Sequence, residues 1–562
     1  MSAKSIKKKP KGNTRRLLAK DNKITRISSA MYAKYNKLSP FELNNTLIKL
    51  AGPKALNAGR GNPNFFNSFG RQVFTDLQKA VLEMSPSLGG DGDISSYPLV
   101  SDMDYMSVLV KKCSSWPSDR KTFFLGYLNY LVKRAKEEKQ DVNAVIYDVV
   151  LSTLGCYYPV PPQIQLHLGL ISEKFLYDLV MSEAKPTDPG AKMKPGEFEC
   201  FATEGAAAGI LYVFNTLKEN YLLLSKDTIA IITPIFSPYI EMPVLTDYDL
   251  NIVELKCNPD NNYWLDDSEI DKLKDKKIKA LFMVNPANPA GFSLSKANID
   301  RIGNIVNTER QDLIVLSDNV YAPFADQYNS FMVACPLNTI EVYSLSKYFG
   351  TTGWRLGLVM VAKKNRLNLL LANQAPKYKK ALSNRYETAT MDSNKLSFME
   401  RLVLDSRQVA EAHVGGLSTP QQVLMGILLY YDIHDRATDN SYKNKIKGIL
   451  KDRISSFYNE LKTPLVVHPT QTNYYSLIHI PTIAKNIYGD KAANHLVSKY
   501  EYLEFLIHLV TKYHVILLPG AGFDADPWTL RISLANLTDV DYPLIGKALN
   551  KAIGDMVAPA LT

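Results

Sequence analysis

A chain of 562 residues is too long for one compact core, and at ~100–200 residues per domain it implies two to four units. Apolar residues make up 46% and charged residues 22%, the balance of a soluble globular protein and not of a disordered chain. The net charge of +10 is concentrated at the start: Lys4, Lys7, Lys8, Lys9, Lys11, Arg15, Arg16, Lys20 and Lys23 face only Asp21.

Residues 1–40 read as a basic, solvated, flexible arm. It lacks the helical apolar spacing of a transit peptide, and no nucleic-acid-binding signature follows it. From Ser39-Pro40, "SPFELNNTLIKLAG" has helical spacing behind a Ser-Pro start and ends near Gly52-Pro53. "NAGRGNPNFF" follows as a Gly/Asn/Pro-rich loop. The stretch from Ser95 to Lys194 reads as helical, most clearly in "DRKTFFLGYLNYLVKRAKEEKQ". Apolar strand-like runs then appear: 228–234, 279–286, 313–318 and 340–346. Helical segments such as "GAAAGILYVFNTLKEN" and "SKANIDRIGNIVNTER" separate several of them. Strands apolar on both faces, alternating with helices, predict a mostly parallel sheet covered on both sides. Beyond Pro420 come a long helix ("TPQQVLMGILLYYDIHD") and four further strand runs ("PLVVHP", "NYYSLIHI", "HVILLPG", "WTLRISLA"), read as a smaller α+β domain.

Cys113, Cys156, Cys200, Cys257 and Cys335 are far apart and form no CxxC pair. That argues against a disulfide framework or a zinc site and for a reducing, cytoplasmic setting. No apolar run reaches the ~18–20 residues of a membrane span.

Ligands of a parallel sheet bind at the carboxyl ends of its strands. Asn285, Asn288, Asp318 and Lys347 fall at those ends, where the plain alternative for each is a turn residue. Lys347 follows Ser344 and Ser346 and precedes Arg355. A Schiff-base lysine must lose its proton, which a neighbouring cation or a dry setting favours. Hydroxyl and guanidinium donors are what a phosphate needs. In "FATEGAAAG", Thr203, Gly205 and Ala206 sit where a helix N-terminus would cradle an anion, although small residues are common at helix starts. Neither GxxxxGK[ST] nor GxGxxG is present. A carboxylate ending an apolar strand, as Asp318 does, needs a cation beside it, and a protonated pyridine nitrogen is one candidate. Tyr321 is either a donor to the same ring or a packed tyrosine.

In this order, "NPANPAG", "SDNVYAPF", "SLSKYFGTTGWRLG" and "RISLA" resemble the fold-type I aminotransferases that use pyridoxal 5′-phosphate (PLP). "GRGNPNF" (59–65), "PIFSPYIEMP" (234–243), "MERLVLDSRQVA" (399–410) and "GLSTPQQV" (416–423) resemble the aspartate 4-decarboxylase branch of that family, whose members also act as aspartate aminotransferases. The resemblance covers roughly residues 40 to 555. It implies an aspartate aminotransferase-like α/β fold, with a large domain built on a mostly parallel sheet and a smaller α+β domain. The divisions it implies are a flexible arm (1–40), a helical segment contributing to the small domain and active site (41–160), a PLP-binding domain (161–415) and a C-terminal small domain (416–562). By resemblance, Lys347 carries PLP and moves the substrate's Cα proton, and Asp318 pairs with the ring nitrogen. Asn288 and Tyr321 bond the ring oxygen, and Phe236 lies on the ring face. Gly205, Ala206, Ser344, Ser346 and Arg355 hold the phosphate. Arg531 grips the α-carboxylate, Arg60 and Arg407 are candidates for the second carboxylate, and Gly61 borders the substrate.

The activity implied is conversion of L-aspartate to L-alanine and CO₂, with transamination of aspartate to a 2-oxo acid. The assembly implied is a homodimer at least, and a larger homo-oligomer by analogy with the branch, with no membrane or nucleic-acid partner and no metal. The alternatives are an aspartate or aromatic aminotransferase without decarboxylation, a catalytically inactive PLP-fold binding protein, and a phosphate-binding α/β enzyme of other chemistry. The last leaves Asp318 and Lys347 unexplained together.

Overall fold

The computed structural model describes residues 24–88, 92–100, 103–159, 164–409 and 416–561. The lysine-rich stretch that ends at Lys23 lies outside the described residues.

The arm expected over 1–40 is corrected in its described part: Ser29–Tyr35 is a helix, and Arg26 before it pairs with Glu504 at 3.0 Å. The helices that follow include α1 (Pro40–Ala51), α2 (Ser68–Leu82), α3 (Ser118–Glu137), α4 (Val142–Leu154) and α5 (Leu166–Val180). The Ser39 side chain caps α1 by accepting from Glu42 N–H, and Pro40 occupies the first turn, where its missing N–H costs nothing.

An eight-stranded sheet follows. Its strands are β1 (Phe198–Thr203), β2 (Thr228–Thr233), β3 (Asn251–Asn258), β4 (Trp264–Leu265), β5 (Ile278–Val284), β6 (Ile314–Asp318), β7 (Thr339–Ser344) and β8 (Gly357–Ala362), in the spatial order β1-β8-β7-β6-β5-β2-β3-β4. Only β8 and β4 run against their neighbours; β7, β6, β5, β2 and β3 pair in parallel.

Both faces of the central strands are buried, and alternate residues enter different cores. Ile229, Ile231, Phe282, Leu316 and Val342 face α6 (Ala206–Glu219), where Phe214 stacks on Phe282 at 4.5 Å between ring centroids. Ala230, Ile232, Leu281, Met283 and Val315 face α7 (Lys296–Thr308), through Ile299, Ile302 and Val306. This double coverage produces the unbroken Ile/Val/Leu runs of the sequence.

Beyond the sheet lie α8 (Phe398–Ser406), α9 (Thr419–Ala437) and α10 (Ser441–Leu461). The buried α9 packs against α2, α4 and α5. A three-stranded antiparallel sheet, in the order β9-β11-β10, comprises β9 (Tyr475–His479), β10 (Leu518–Pro519) and β11 (Thr529–Ser533), and the chain closes with α11 (Asp541–Leu561). The loop after α1 joins this region, because Leu56–Asn57 pairs in parallel with Val515–Ile516.

Two strand expectations fail. "PLVVHP" forms no strand: Val466 and Val467 are 58% and 78% exposed, so no partner sheet receives them. "HVILLPG" breaks at Leu517 into two short strands serving different sheets. No described helix is long and apolar enough to cross a membrane.

Candidate active site

A cavity of about 410 Å³ opens at the carboxyl ends of β5, β6 and β7 and is roofed by residues of β9, β10 and β11. Its lining includes Asn288, Asp318, Tyr321, Ser344, Ser346, Lys347, Arg355 and Arg531, together with Arg60, Gly61, Ala206 and Phe236. Twelve residues singled out from separate stretches of sequence therefore border one space.

One end is built by close backbone approach. Gly205 precedes α6 with φ 92° and ψ 166°, a region open to glycine alone. A Cβ there would stand 2.5 Å from Arg355 Nη2, and a Cβ on Gly357 would stand 2.5 Å from the Gly205 carbonyl carbon. The two glycines let β8 and the N-terminus of α6 meet, with the Arg355 guanidinium against them. Arg355 is itself held by donating to the Thr352 carbonyl at 2.9 Å. Ser344 donates to the Ser346 hydroxyl at 2.9 Å, which aligns two hydroxyls beside this corner. Gly205 itself sits behind the cavity wall.

Asp318, the last residue of β6, is 5% exposed. Its carboxylate accepts from Val320 N–H at 3.1 Å and from the Tyr239 hydroxyl at 3.2 Å. Burial pushes its pKa up to about 6, against the pull of those two donors and of Lys347. Burial conversely pushes the Lys347 amine down; Arg531 and Arg355 add to that effect, and Tyr475 and Asp318 oppose it. Lys347 Nζ donates to the Gly61 carbonyl at 3.0 Å, and the Tyr474 hydroxyl donates to the same oxygen at 2.8 Å. Gly61 has to be glycine, because a Cβ would overlap the Tyr475 hydroxyl. Tyr321 donates to Tyr475 at 3.1 Å, and burial raises the Tyr321 pKa well above the usual phenol value.

Arg531, at the centre of β11, forms the opposite wall. It donates through Nη1 to Asn288 Oδ1 at 3.0 Å and through Nη2 to the Gly59 carbonyl at 2.6 Å. Its guanidinium carbon lies 4.6 Å from the Tyr475 ring centroid and 4.8 Å from that of Phe523. The buried Nε has no hydrogen-bond partner among the described residues. A guanidinium packed between two rings in this way is rigid and oriented.

Arg60 is exposed and borders the cavity. Arg407 is not brought to it: it follows α8, buried, and α8 packs on α6 and on the edge strand β1. Asn285 is structural, with its side chain bridging the Asn329 carbonyl and Leu294 N–H. Tyr239, Tyr474 and Tyr475 carry contacts that the sequence reading did not assign. Register would have exposed the last of these. Leu477 pairs with Arg531, so Tyr475, two residues earlier, shares that face of the sheet.

The family model for aminotransferase class I and II matches residues 197–545. The bifunctional aspartate aminotransferase and L-aspartate beta-decarboxylase of Pseudomonas sp. is 37% identical over 536 residues, spanning 93% of this chain and 97% of that protein. Among solved structures, the aspartate aminotransferase of Thermus thermophilus with maleate aligns with a TM-score of 0.55 at 16% identity, covering 94% of this chain and all of that one. The aromatic aminotransferase of Pyrococcus horikoshii aligns with a TM-score of 0.51 at 16% identity, covering 90% and 98%. At these identities the likeness is one of fold. The chain belongs to the class I and II aminotransferase family.

Proposed function

We propose that this protein is a PLP-dependent enzyme that converts L-aspartate to L-alanine and CO₂ and also transaminates aspartate with a 2-oxo acid. One observation carries the reading. Lys347 and Asp318 border a single cavity, with a hydroxyl-and-guanidinium corner at one end and the oriented Arg531 at the other. The near full-length similarity to the Pseudomonas protein supports the two-activity form of the reading.

The donor set fits PLP. The corner made by Ser344, Ser346, Arg355 and the first turn of α6 offers forked and hydroxyl donors of the kind that bind phosphate. Asp318 offers a dry carboxylate for a ring nitrogen, Asn288 and Tyr321 offer polar groups for a ring oxygen, and Phe236 a face for the ring. When bound, PLP supplies an electron-withdrawing ring that stabilises negative charge at the substrate's Cα.

The chain's own residues do the rest. Arg531 binds the α-carboxylate through two parallel N–H donors, displacing its resting contacts to Asn288 and Gly59. Lys347, with its amine biased toward the neutral form, takes the Cα proton and returns it. Asp318, kept anionic by a cationic partner, holds the proton on the ring nitrogen. Arg60 meets the side-chain carboxylate at the mouth. A tight ion pair there favours retention of the carboxylate and hence oxaloacetate; a looser one favours loss of CO₂ and hence alanine. Each ~1.4 kcal/mol of difference changes the ratio tenfold.

Supporting an assembly of at least two copies, Leu88, Ile94, Leu99, Val100 and Tyr158 are exposed in a short hairpin and in loops between the N-terminal helices. Incubation with aspartate, with and without a 2-oxo acid, tests the function by following alanine, CO₂ and oxaloacetate together. Wild-type protein is expected to produce all three and Lys347→Ala none. Oxaloacetate without alanine would leave a plain aminotransferase.

A further inference from the structure

Tyr475 meets three of the groups that define the cavity. Its hydroxyl accepts from Tyr321 at 3.1 Å, its ring lies under the Arg531 guanidinium at 4.6 Å, and it acts electrostatically on the Lys347 amine. A Cβ on Gly61 would overlap the Tyr475 hydroxyl and stand 3.6 Å from Lys347 Nζ, so hydroxyl and amine flank the same point of the loop. Tyr475 is 2% exposed, which shields its hydroxyl from bulk water. Tyr321 supplies the hydrogen between the two phenols, so the Tyr475 O–H keeps its own proton for the cavity it lines.

Aspartate breakdown to alanine needs proton chemistry at two carbons, and transamination needs it at one. Lys347 serves Cα. When the bond from Cβ to its carboxylate breaks, CO₂ leaves and the electron pair stays with the substrate. Cβ then has to gain a proton to become the methyl group of alanine. Arg531, stacked on the Tyr475 ring, offers its donors at the guanidinium edge, so a substrate held there by its α-carboxylate shares the cavity that Tyr475 also lines. Building on the function proposed above, we propose that Tyr475 is the catalytic acid that protonates Cβ after CO₂ departs. The O–H bond breaks as the C–H bond forms. The resulting tyrosinate is stabilised by the Arg531 cation, and it regains its proton from water as product leaves. One C–C bond is exchanged for one C–H bond, one proton is consumed, and no oxidant or reductant is needed.

Tyr475→Phe keeps the ring over Arg531 and removes only the acid. The rate of alanine formation is expected to fall ~10²-fold, and the alanine-to-oxaloacetate ratio at least ~10-fold. One readout uses cofactor-free protein: calorimetric binding of succinate is expected to stay within ~3-fold of wild type, since the Arg531 site is kept. Alanine and oxaloacetate falling in parallel, or an unchanged ratio, would overturn the assignment of Tyr475. Wild-type protein that forms oxaloacetate but no alanine would instead remove the decarboxylation reading on which the assignment rests.

Discussion

Replacing Asp318 with asparagine should stabilise the cofactor-free protein while disabling the enzyme. Burial lifts Asp318 from an ordinary 3.8 to about 6 in the folded chain. That rise of about 2 units, at ~1.4 kcal/mol each, makes ionising Asp318 about 3 kcal/mol more costly folded than unfolded. Below about pH 4 the carboxyl is protonated in both states and contributes no difference. Between about pH 4 and 6 the unfolded chain gives up its proton first, so stability falls as pH rises, and above about pH 6 the whole penalty is present. Asparagine does not ionise and escapes it. Oδ1 still accepts from Val320 N–H, but the Tyr239 hydroxyl loses its acceptor, which costs about 1 kcal/mol. The variant should therefore gain about 2 kcal/mol near neutral pH and lose about 1 kcal/mol near pH 4. Urea denaturation of cofactor-free wild type and Asp318→Asn across that range measures the difference. With the cofactor bound, the variant should lose at least ~10²-fold in activity, because a neutral amide does not hold a proton on the ring nitrogen. Equal stability at neutral pH, or a gain that persists in acid, would refute the argument that Asp318 is held in a costly ionised state for a cationic partner.

Gly205→Ala forces a side chain into a glycine-only conformation, at about 1–3 kcal/mol, and drives its Cβ against Arg355. The dissociation constant of PLP, read by absorbance titration, should rise at least ~10-fold; a change under ~2-fold would place the phosphate elsewhere. Arg531→Lys exchanges a flat two-pronged donor for a point charge and vacates the space between Tyr475 and Phe523, so KM for aspartate should rise ~30–100-fold in steady-state assays. Arg60→Ala should change the alanine-to-oxaloacetate ratio measured from one incubation, and an unchanged ratio with both activities intact would remove Arg60 from the side-chain carboxylate.

The parallel sheet was legible because its strands are covered on both faces. Such strands cannot alternate polar and apolar residues, so the buried runs at 228–233 and 314–318 stand out at any register. Where one side of a strand is open the signal weakens, as in β3, which is partly exposed along most of its length; burial alone is not sufficient, since β1 and β8 are buried and, like β3, were not among the expected strands. The opposite error arose at "PLVVHP", where β-branched residues suggested a strand that lacks a partner. Local composition records what a strand prefers and says nothing of whether another strand lies alongside it.

The same distinction explains the site. Lys347, Asp318 and Arg355 were legible because each sits in a short segment whose neighbours are constrained by the same backbone turn; the serines before Lys347 and the glycine after Arg355 are parts of one corner. Arg407 was a candidate by resemblance alone, and α8 lies across α6 and delivers it elsewhere. Tyr475 shows the converse. As one of 32 tyrosines it has no compositional distinction, and its importance comes wholly from partners that are distant in sequence: Tyr321, Gly61 and Arg531. Gly61 and Arg531 meet it because Leu56–Asn57 is stitched to Val515–Ile516 while β9 lies beside β11, and Tyr321 reaches it from beyond the carboxyl end of β6. A residue whose role depends on three chain crossings is invisible to any window, whereas one whose role depends on a single turn is visible in that turn. The groups proposed to fix a cofactor can therefore be read early, and the one proposed to choose between two fates of the same substrate emerges only from the assembled fold.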